Sequence, residues 1–341
     1  MMQTQMSLET REVPGLIASY LTSMQAERLA VIQAIRAQPI RMAVSFARGS
    51  SDHATTLAHH LLKTRYGIWS FSCPPSQLKA GFERLDFENT LAFAISQSGQ
   101  STDLLDCINL SRRKGAFTLA ILNAPETPMH QAADWIWPIG AGGEQSVAAT
   151  KSFICSLVAV LDFIGTWQDD DALRASLTTL PTHLDRAIEI RWEDLIAPLA
   201  QTENLLLVSR GPMATALEEA ALKLKETCQI HATAYSAAEL QHGPLALVGP
   251  RTHVWVIAPP GPDAEGLIDL ASRLRQSGAM VTLFTANTAA RIGTSFHGTG
   301  NAYLDVISWI TSFYLFVDQL AAARGLNPDA PPRLQKVTIT N

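Results

Sequence analysis

A predicted helix in the second half of the chain carries two carboxylates and one lysine on a single face. Residues 214–228 are mostly strong helix formers, with no glycine or proline among them. The spacing of Glu219, Lys223 and Glu226 places them on one side of this helix. A lysine held between two carboxylates can position one of them as a general base and can hold an anionic substrate. The alternative interpretation is a solvated helix face with i,i+4 ion pairs.

A histidine lies in the segment that follows this helix. Residues 229–248 are largely apolar, yet they include His242, which is followed directly by Gly243 and Pro244. A helix rarely continues into a Gly-Pro step, so the sequence predicts that His242 lies in a loop. A helix that presents Glu and Lys, followed by a loop that presents His, is a plausible acid/base site.

A second stretch, rich in hydroxyl groups, follows a predicted buried strand at residues 90–95. It contains Ser96, Gln97, Ser98, Gly99, Gln100, Ser101 and Thr102, and it leads into a helix. Hydroxyl groups and free N–H groups at a helix N-terminus favour an anion such as phosphate. Simple N-capping is the alternative, but a cap needs fewer hydroxyls. Ser50 and Ser51 follow another predicted strand, residues 41–47, and supply a further hydroxyl-rich strand end.

The two halves of the chain repeat one plan. Arg48, Gly99 and Gly115 recur as Arg210, Gly261 and Gly278, at offsets of 162, 162 and 163 residues. Strands alternate with helices in each half, which predicts an α/β fold made of two tandem doubly wound, flavodoxin-like parallel sheets. The second copy has Pro259-Pro260-Gly261 where the first has Gln97-Ser98-Gly99. Proline lacks an N–H donor, so we expect the first copy to bind phosphate and the second to supply the acid/base groups.

Composition narrows the possible classes of protein. The net charge is −5 with no basic block, which gives no support for nucleic-acid binding. We found no apolar run long enough to cross a bilayer and no signal-peptide core at the N-terminus. The four cysteines are scattered without a C-x-x-C pair, which predicts buried thiols in a reducing cytoplasm and no metal site. No G-x-G-x-x-G follows a predicted strand, so a nucleotide-binding dehydrogenase is not favoured.

Three segments of the chain match a known family: Ala221-Leu222-Lys223-Leu224-Lys225-Glu226, Ile230-His231-Ala232 and His242-Gly243-Pro244-Leu245. They resemble the tandem sugar isomerase (SIS) domain proteins, in particular the isomerase half of glucosamine-fructose-6-phosphate aminotransferase. The resemblance covers about residues 8–341. It implies four regions: 1–170 with the N-terminal helices and first SIS domain, a helical connection at 171–199, the second SIS domain at 200–324, and a tail at 325–341 that closes the site.

The resemblance also implies roles for individual residues. Glu226 matches the proton-shuttling base, Lys223 and Glu219 match its supporting charges, and His242 matches a ring-opening histidine donated by the neighbouring subunit. A homodimer is therefore expected. Lys336 matches a tail lysine that can form a Schiff base with an open-chain ketose, whereas without the resemblance it would be a solvated lysine. The phosphosugar ligands implied by the family are Ser50, Ser51, Ser96, Gln97, Ser98, Ser101, Val147 and Ala149. Ala149 stands where the family has serine, which removes one hydroxyl contact.

The most similar subgroup suggests an activity. Residues 48–54, together with 147–152, resemble the stand-alone SIS-type glucosamine-6-phosphate deaminases, which use no cofactor. The first cysteine is Cys73, so the glutaminase chemistry of the aminotransferase is not expected. We therefore expect an enzyme that converts glucosamine 6-phosphate to fructose 6-phosphate and ammonia. An aldose–ketose phosphosugar isomerase, a deaminase of another amino sugar phosphate, and a non-catalytic phosphosugar-binding regulator remain as alternatives.

Overall fold

The computed structural model describes residues 3–23, 25–78, 84–286 and 293–336. These residues form two compact units, each built on its own sheet. The N-terminal unit contains residues 15–144, 151–179 and 335–336, and the C-terminal unit contains residues 3–14, 145–150 and 180–334, apart from the positions outside the described ranges. The chain thus passes between the two units more often than it would if the units followed the four sequential regions that the sequence predicted. The predicted tandem α/β fold is confirmed by the two parallel sheets.

The N-terminal unit holds a five-stranded parallel sheet. Its strands are β1 (Met42–Phe46), β2 (Trp69–Ser72), β3 (Thr90–Ser96), β4 (Phe117–Leu122) and β5 (Trp135–Pro138), in the spatial order β2-β1-β3-β4-β5. All seven residues of β3 are buried, as expected for a central strand covered on both faces. The helices are α2 (Gln25–Arg36), α3 (Ser50–Tyr66), α4 (Pro75–Leu78), α5 (Thr102–Arg113), α6 (Pro128–Ala132) and α7 (Lys151–Trp167).

Two further helices have residues in both units. Helix α1 (Gln5–Thr22) contains Pro14, and helix α8 (Asp171–Ala187) contains Pro181. Threonine is a common N-cap residue and proline is common in the first turn of a helix, so Thr10 and Pro14 taken alone would predict a helix that starts at Thr10. Thr10 instead lies inside α1, where its hydroxyl donates to the Met6 carbonyl oxygen at 2.8 Å. A threonine hydroxyl bonded to the preceding turn is common inside helices, so this residue type alone did not define the helix start.

The C-terminal unit repeats the same strand order. Its strands are β6 (Asn204–Ser209), β7 (His231–Ser236), β8 (His253–Ala258), β9 (Met280–Ala286) and β10 (Thr294–Phe296), in the order β10-β9-β8-β6-β7. Read from the other edge this is the arrangement of the first sheet, as duplication predicts. The helices are α9 (Ile196–Leu199), α10 (Ala214–Cys228), α11 (Ala237–Gln241), α12 (Ala264–Gln276) and α13 (Ala302–Ala323).

Helix α13 is the core helix of the C-terminal unit. Within the described residues it alone is long and apolar enough to cross a membrane, which corrects the expectation that the chain has no such run. However, 78% of its most apolar window is buried inside the protein, as in the core helix of a globular unit. Trp309 and Phe313 of this helix stack with ring centroids 5.3 Å apart, and Phe316 contacts Trp255 of β8 at 5.5 Å. These aromatic contacts hold α13 against the sheet, next to α10.

Candidate functional site

Helix α10 forms over the residues predicted for it and carries a buried charge network. Lys223 lies between two carboxylates, with its Nζ 3.3 Å from Glu219 Oε1 and 2.5 Å from Glu226 Oε2. The side chains of Glu219 and Lys223 are 0% and 1% exposed, and that of Glu226 is 21% exposed. The solvated-face alternative is therefore excluded, because two of the three groups have no access to water.

The charge state of Lys223 follows from its neighbours. Burial alone lowers the pKa of Lys223, but the carboxylates of Glu219 and Glu226 outweigh burial, and the net effect raises its pKa above the ordinary value. Lys223 is therefore a cation at neutral pH. A fixed cation of this kind holds the partly exposed Glu226 carboxylate in place.

A tyrosine that the sequence reasoning missed completes this network. The Tyr314 hydroxyl of α13 donates to Glu219 Oε1 at 2.9 Å, and Tyr314 is fully buried. Tyr314, Glu219, Lys223 and Glu226 thus form one connected line of polar groups, referred to below as the α10 network. The sequence contained a signal for it, because a tyrosine within an apolar helix needs a partner for its hydroxyl.

Glu226 borders open space on its outer side. A cavity of about 610 Å³ is lined by Glu226, Lys225, Gln229 and residues 332–334 of the tail. Two cationic side chains, Lys225 and Arg333, therefore border the cavity into which the carboxylate opens. This arrangement suits a proton-transfer base that must reach a polar, anionic ligand.

His242 follows the short helix α11 and is not part of the α10 network. It caps the C-terminus of α11 and is exposed, and its side chain makes no hydrogen bond to any residue within the described ranges. The loop prediction for His242 is confirmed by this position. The preceding segment is not a loop, however, because residues 231–236 form the edge strand β7.

The serine-rich segment of the N-terminal unit, residues 96–101, is referred to below as the serine loop. Ser96 Oγ accepts from the Gly99 N–H at 3.0 Å, and Ser98 Oγ lies 3.4 Å from the Gln100 nitrogen. Gly99 has a φ of 63°, and a Cβ at this position would collide with the Thr127 side chain, so the turn requires glycine.

The hydroxyls of the serine loop are not used to cap the next helix. Ser101 is the N-cap residue of α5, yet its side chain makes no capping hydrogen bond. Simple N-capping therefore does not account for the hydroxyls. The dipole at the start of α5 favours an anion beside this loop.

These hydroxyls border a cavity of about 320 Å³, within the size range of small-molecule sites. It is lined by Arg48, Gly49, Ser51, Ile95, Ser96, Gln97, Ser98, Ser101, Leu104 and Lys336. Five of the predicted ligands, Ser51, Ser96, Gln97, Ser98 and Ser101, are thus brought together. Ser50 begins α3 next to this cavity but is not among the lining residues.

Lys336 is not a solvated tail lysine. Its Nζ lies 2.6 Å from Glu144 Oε2, and the Glu144 side chain is 0% exposed. The Glu144 carboxylate also accepts from the backbone N–H of Ser152 at 3.1 Å and from its hydroxyl at 2.7 Å. The sequence reasoning did not identify Glu144, whose buried carboxylate fixes the lysine at the serine-loop cavity. The residues that follow Lys336 in the tail, 337–341, lie outside the described residues.

Val147 and Ala149 belong to the C-terminal unit. The backbone N–H of Val147 donates to the Asp329 carbonyl oxygen at 3.2 Å, and both side chains are partly buried. In the described portion of the chain, no group of three or more His, Cys, Asp or Glu side chains has the geometry to hold a metal ion. All four cysteines are free thiols, and three of them are buried.

The structure is a doubled parallel α/β fold, with a hydroxyl-rich loop in one copy and a Glu-Lys-Glu helix in the other. The SIS domain model matches residues 39–164 and again residues 199–323. The chain belongs to the SIS domain family.

Several known proteins are similar over nearly the whole chain. The glutamine–fructose-6-phosphate aminotransferase of Methanothermobacter thermautotrophicus is 31% identical over 97% of this chain, which spans 57% of that longer protein. A candidate phosphosugar isomerase from Silicibacter pomeroyi is 34% identical, with a TM-score of 0.88 over 96% of this chain and 100% of its own. The glucosamine-6-phosphate deaminase of Thermotoga maritima shares the fold, with a TM-score of 0.74, 19% identity, and coverage of 98% of both chains.

Proposed function

We propose that this protein is a phosphosugar deaminase that converts glucosamine 6-phosphate and water to fructose 6-phosphate and ammonia. The observation that carries the proposal is Lys223, buried between Glu219 and Glu226, because it holds a carboxylate ready for proton transfer at the border of a cavity. The anion site at the serine loop supports a phosphorylated substrate. The sequence resemblance of residues 48–54 and 147–152 to SIS-type deaminases supports the amino sugar.

The proposed reaction begins with the phosphate on Ser96, Ser98 and Ser101. His242, supplied by a second subunit of a homodimer, moves the ring-oxygen proton and opens the pyranose. Glu226 then takes the proton from C2 and returns it to C1, which leaves a C2 imine. Water adds to this imine, and the C–N bond breaks to release ammonia and leave the ketone of fructose 6-phosphate.

Positive charge beside the reacting carbons stabilises the enediol-like intermediate. Lys223 provides it behind Glu226, and Lys336 is a second cation within this proposal. Lys336 is already ion-paired with Glu144, which keeps its ammonium group oriented. Under the proposal, Val147 and Ala149 contact the sugar, with Ala149 supplying no hydroxyl.

The test is an assay of the purified protein on glucosamine 6-phosphate that follows ammonium and fructose 6-phosphate together. We expect the two products in equal amounts. Glu226→Gln should reduce kcat by at least about a hundredfold, the usual contribution of a general base, while leaving substrate binding within a few-fold. Ser98→Ala should instead raise KM, because it removes a phosphate contact.

The close alternative is an aldose–ketose isomerase, which uses the same proton transfer without an imine. Turnover of a hexose 6-phosphate without ammonium release from any hexosamine 6-phosphate would assign that activity and reject the deaminase. Release of ammonium from galactosamine 6-phosphate alone would change the assigned substrate and leave the deaminase reaction as proposed. Binding of all these sugars without turnover of any would indicate a regulator, and the intact α10 network argues against that outcome.

A further inference from the structure

Arg48 lies beside the serine loop and is anchored on a buried carboxylate. Its Nη2 and Nε lie 2.7 and 3.1 Å from Asp103 Oδ2. The Asp103 side chain is 8% exposed, and its Oδ1 accepts from the backbone N–H of Leu104 at 2.9 Å. Asp103 therefore holds one edge of the guanidinium. Asp103 itself lies in the first turn of α5, the helix that follows the serine loop.

The other edge of the guanidinium remains available. Nη1 of Arg48 makes no hydrogen bond within the part of the chain that the structure covers, and the side chain is 46% exposed. Arg48 lines the same cavity as Ser51, Ser96 and Ser98. A guanidinium with a free donor edge at a hydroxyl-lined cavity matches the geometry of a phosphate group.

The second copy of the fold provides an internal comparison. Arg210 occupies the equivalent position after β6, and it pairs with Asp263 at 3.3 Å through a single nitrogen. Both of those side chains are about half exposed, at 44% and 46%. The loop that follows β8 has Pro259 and Pro260 in place of the serine-loop residues. The tight pair on a buried carboxylate therefore occurs in the copy that has the hydroxyl-lined cavity.

We propose that Arg48 is a phosphate-binding residue of the serine-loop cavity. This inference rests on the proposed function for the identity of the sugar, but not for the anion itself. Hydroxyl groups alone can hydrogen-bond to many kinds of polar ligand. A cation beside them favours a dianionic phosphate over an uncharged sugar. Asp103 aligns the guanidinium and is a positioning residue.

The experiment measures binding of inorganic phosphate by calorimetry to the full-length wild-type protein and to Arg48→Met. We expect affinity to fall about ten- to hundredfold, the usual effect of losing a hydrogen bond to a charged group. Arg210→Met is the matched control, because it removes the equivalent arginine in the second copy, and its affinity should stay within twofold of wild type.

A double-mutant cycle separates a direct contact from a structural one, because Arg48→Met also removes the guanidinium that contacts the buried Asp103 carboxylate. Arg48→Met is therefore compared again in an Asp103→Asn background. A direct phosphate contact gives a loss of at least fivefold in both backgrounds. A loss only in the wild-type background would show that Arg48 merely neutralises Asp103, and it would overturn the proposal.

Two further results have clear meanings. A wild-type protein that does not bind inorganic phosphate would also overturn the role of Arg48. If phosphate binds and depends on Arg48, but glucosamine 6-phosphate yields no ammonium, the proposed function fails and the phosphate-binding role stands.

Discussion

Replacing Lys223 by methionine should destabilise helix α10 far more than a loss of packing would. Methionine keeps the length of the side chain, so the change mainly removes a charge. Glu219 is 0% exposed, so it loses the Lys223 ammonium and gains no water, while the hydrogen bond from Tyr314 is retained. Removing one member of a buried ion pair typically costs about 3–5 kcal/mol, because the charge that remains is buried and has lost the cation that balanced it.

A second substitution tests this cause. In the double variant Lys223→Met with Glu219→Gln, no buried charge remains at position 219, and the Tyr314 hydroxyl can still donate to the amide oxygen. We expect the double variant to recover at least about 2 kcal/mol relative to the single variant. Glu226→Gln alone should cost less than about 1 kcal/mol, because Glu226 is 21% exposed and Lys223 keeps its pair with Glu219.

Hydrogen–deuterium exchange resolved by peptide is the appropriate assay, because it reports the opening free energy of α10 separately from α5 in the other unit. At pH 7 the full effect is measurable. The raised pKa of Lys223 means that its contribution is present below the ordinary pKa of 10.5 and is lost only as pH rises through the higher folded-state value. A change of less than 1 kcal/mol in Lys223→Met, or no recovery in the double variant, would refute the network argument.

Two other predictions concern the polar groups of each unit. Tyr314→Phe should cost about 1.5–3 kcal/mol of stability and should lower kcat, because it removes the hydrogen bond to Glu219. Tyr20→Phe is the control: it removes a buried hydroxyl 3.1 Å from Asp162 and should cost stability without changing kcat. Thermal unfolding and steady-state kinetics check this pair, and an equal loss of kcat in both would contradict a positioning role for Tyr314. Burial, aided by Lys63, lowers the pKa of His59 from 6.5 to about 3 in the folded protein. As pH falls, the His59 side chain is therefore protonated at a higher pH in the unfolded chain than in the folded one. His59 should therefore contribute a stability loss of about 2 kcal/mol between pH 8 and pH 5. Urea unfolding should show a smaller loss over the same range in His59→Asn, and an unchanged pH dependence would disprove this assignment.

The sequence predicted most of the local structure, because the patterns were long and regular. Helix α10 begins and ends where its run of helix formers does, and β3 extends one residue past the predicted run. Strand β7 was missed, since His231–Ser236 alternates small and polar residues and its burial is partial. An edge strand has a neighbour on one side only, which weakens the apolar signal on which the prediction depends.

The serine loop and the Glu-Lys-Glu spacing could also be identified in the sequence, because both depend on residues close together in the chain. Their partners could not. Tyr314 lies 95 positions from Glu219, and Glu144 lies 192 positions from Lys336. Nothing in local periodicity connects such residues, since they meet only when the helices and loops pack.

The sequence by itself thus determined the duplicated α/β fold, the hydroxyl-rich turn and the order of charges along α10. Only the tertiary structure decided that Glu219 and Lys223 are cut off from water, that Lys336 pairs with a buried carboxylate, and that Arg48 faces the serine-loop cavity with one edge engaged. The physical reason is that burial is a property of packed elements. The same charge spacing on a solvated helix would contribute little, whereas removal from water makes each missing partner costly.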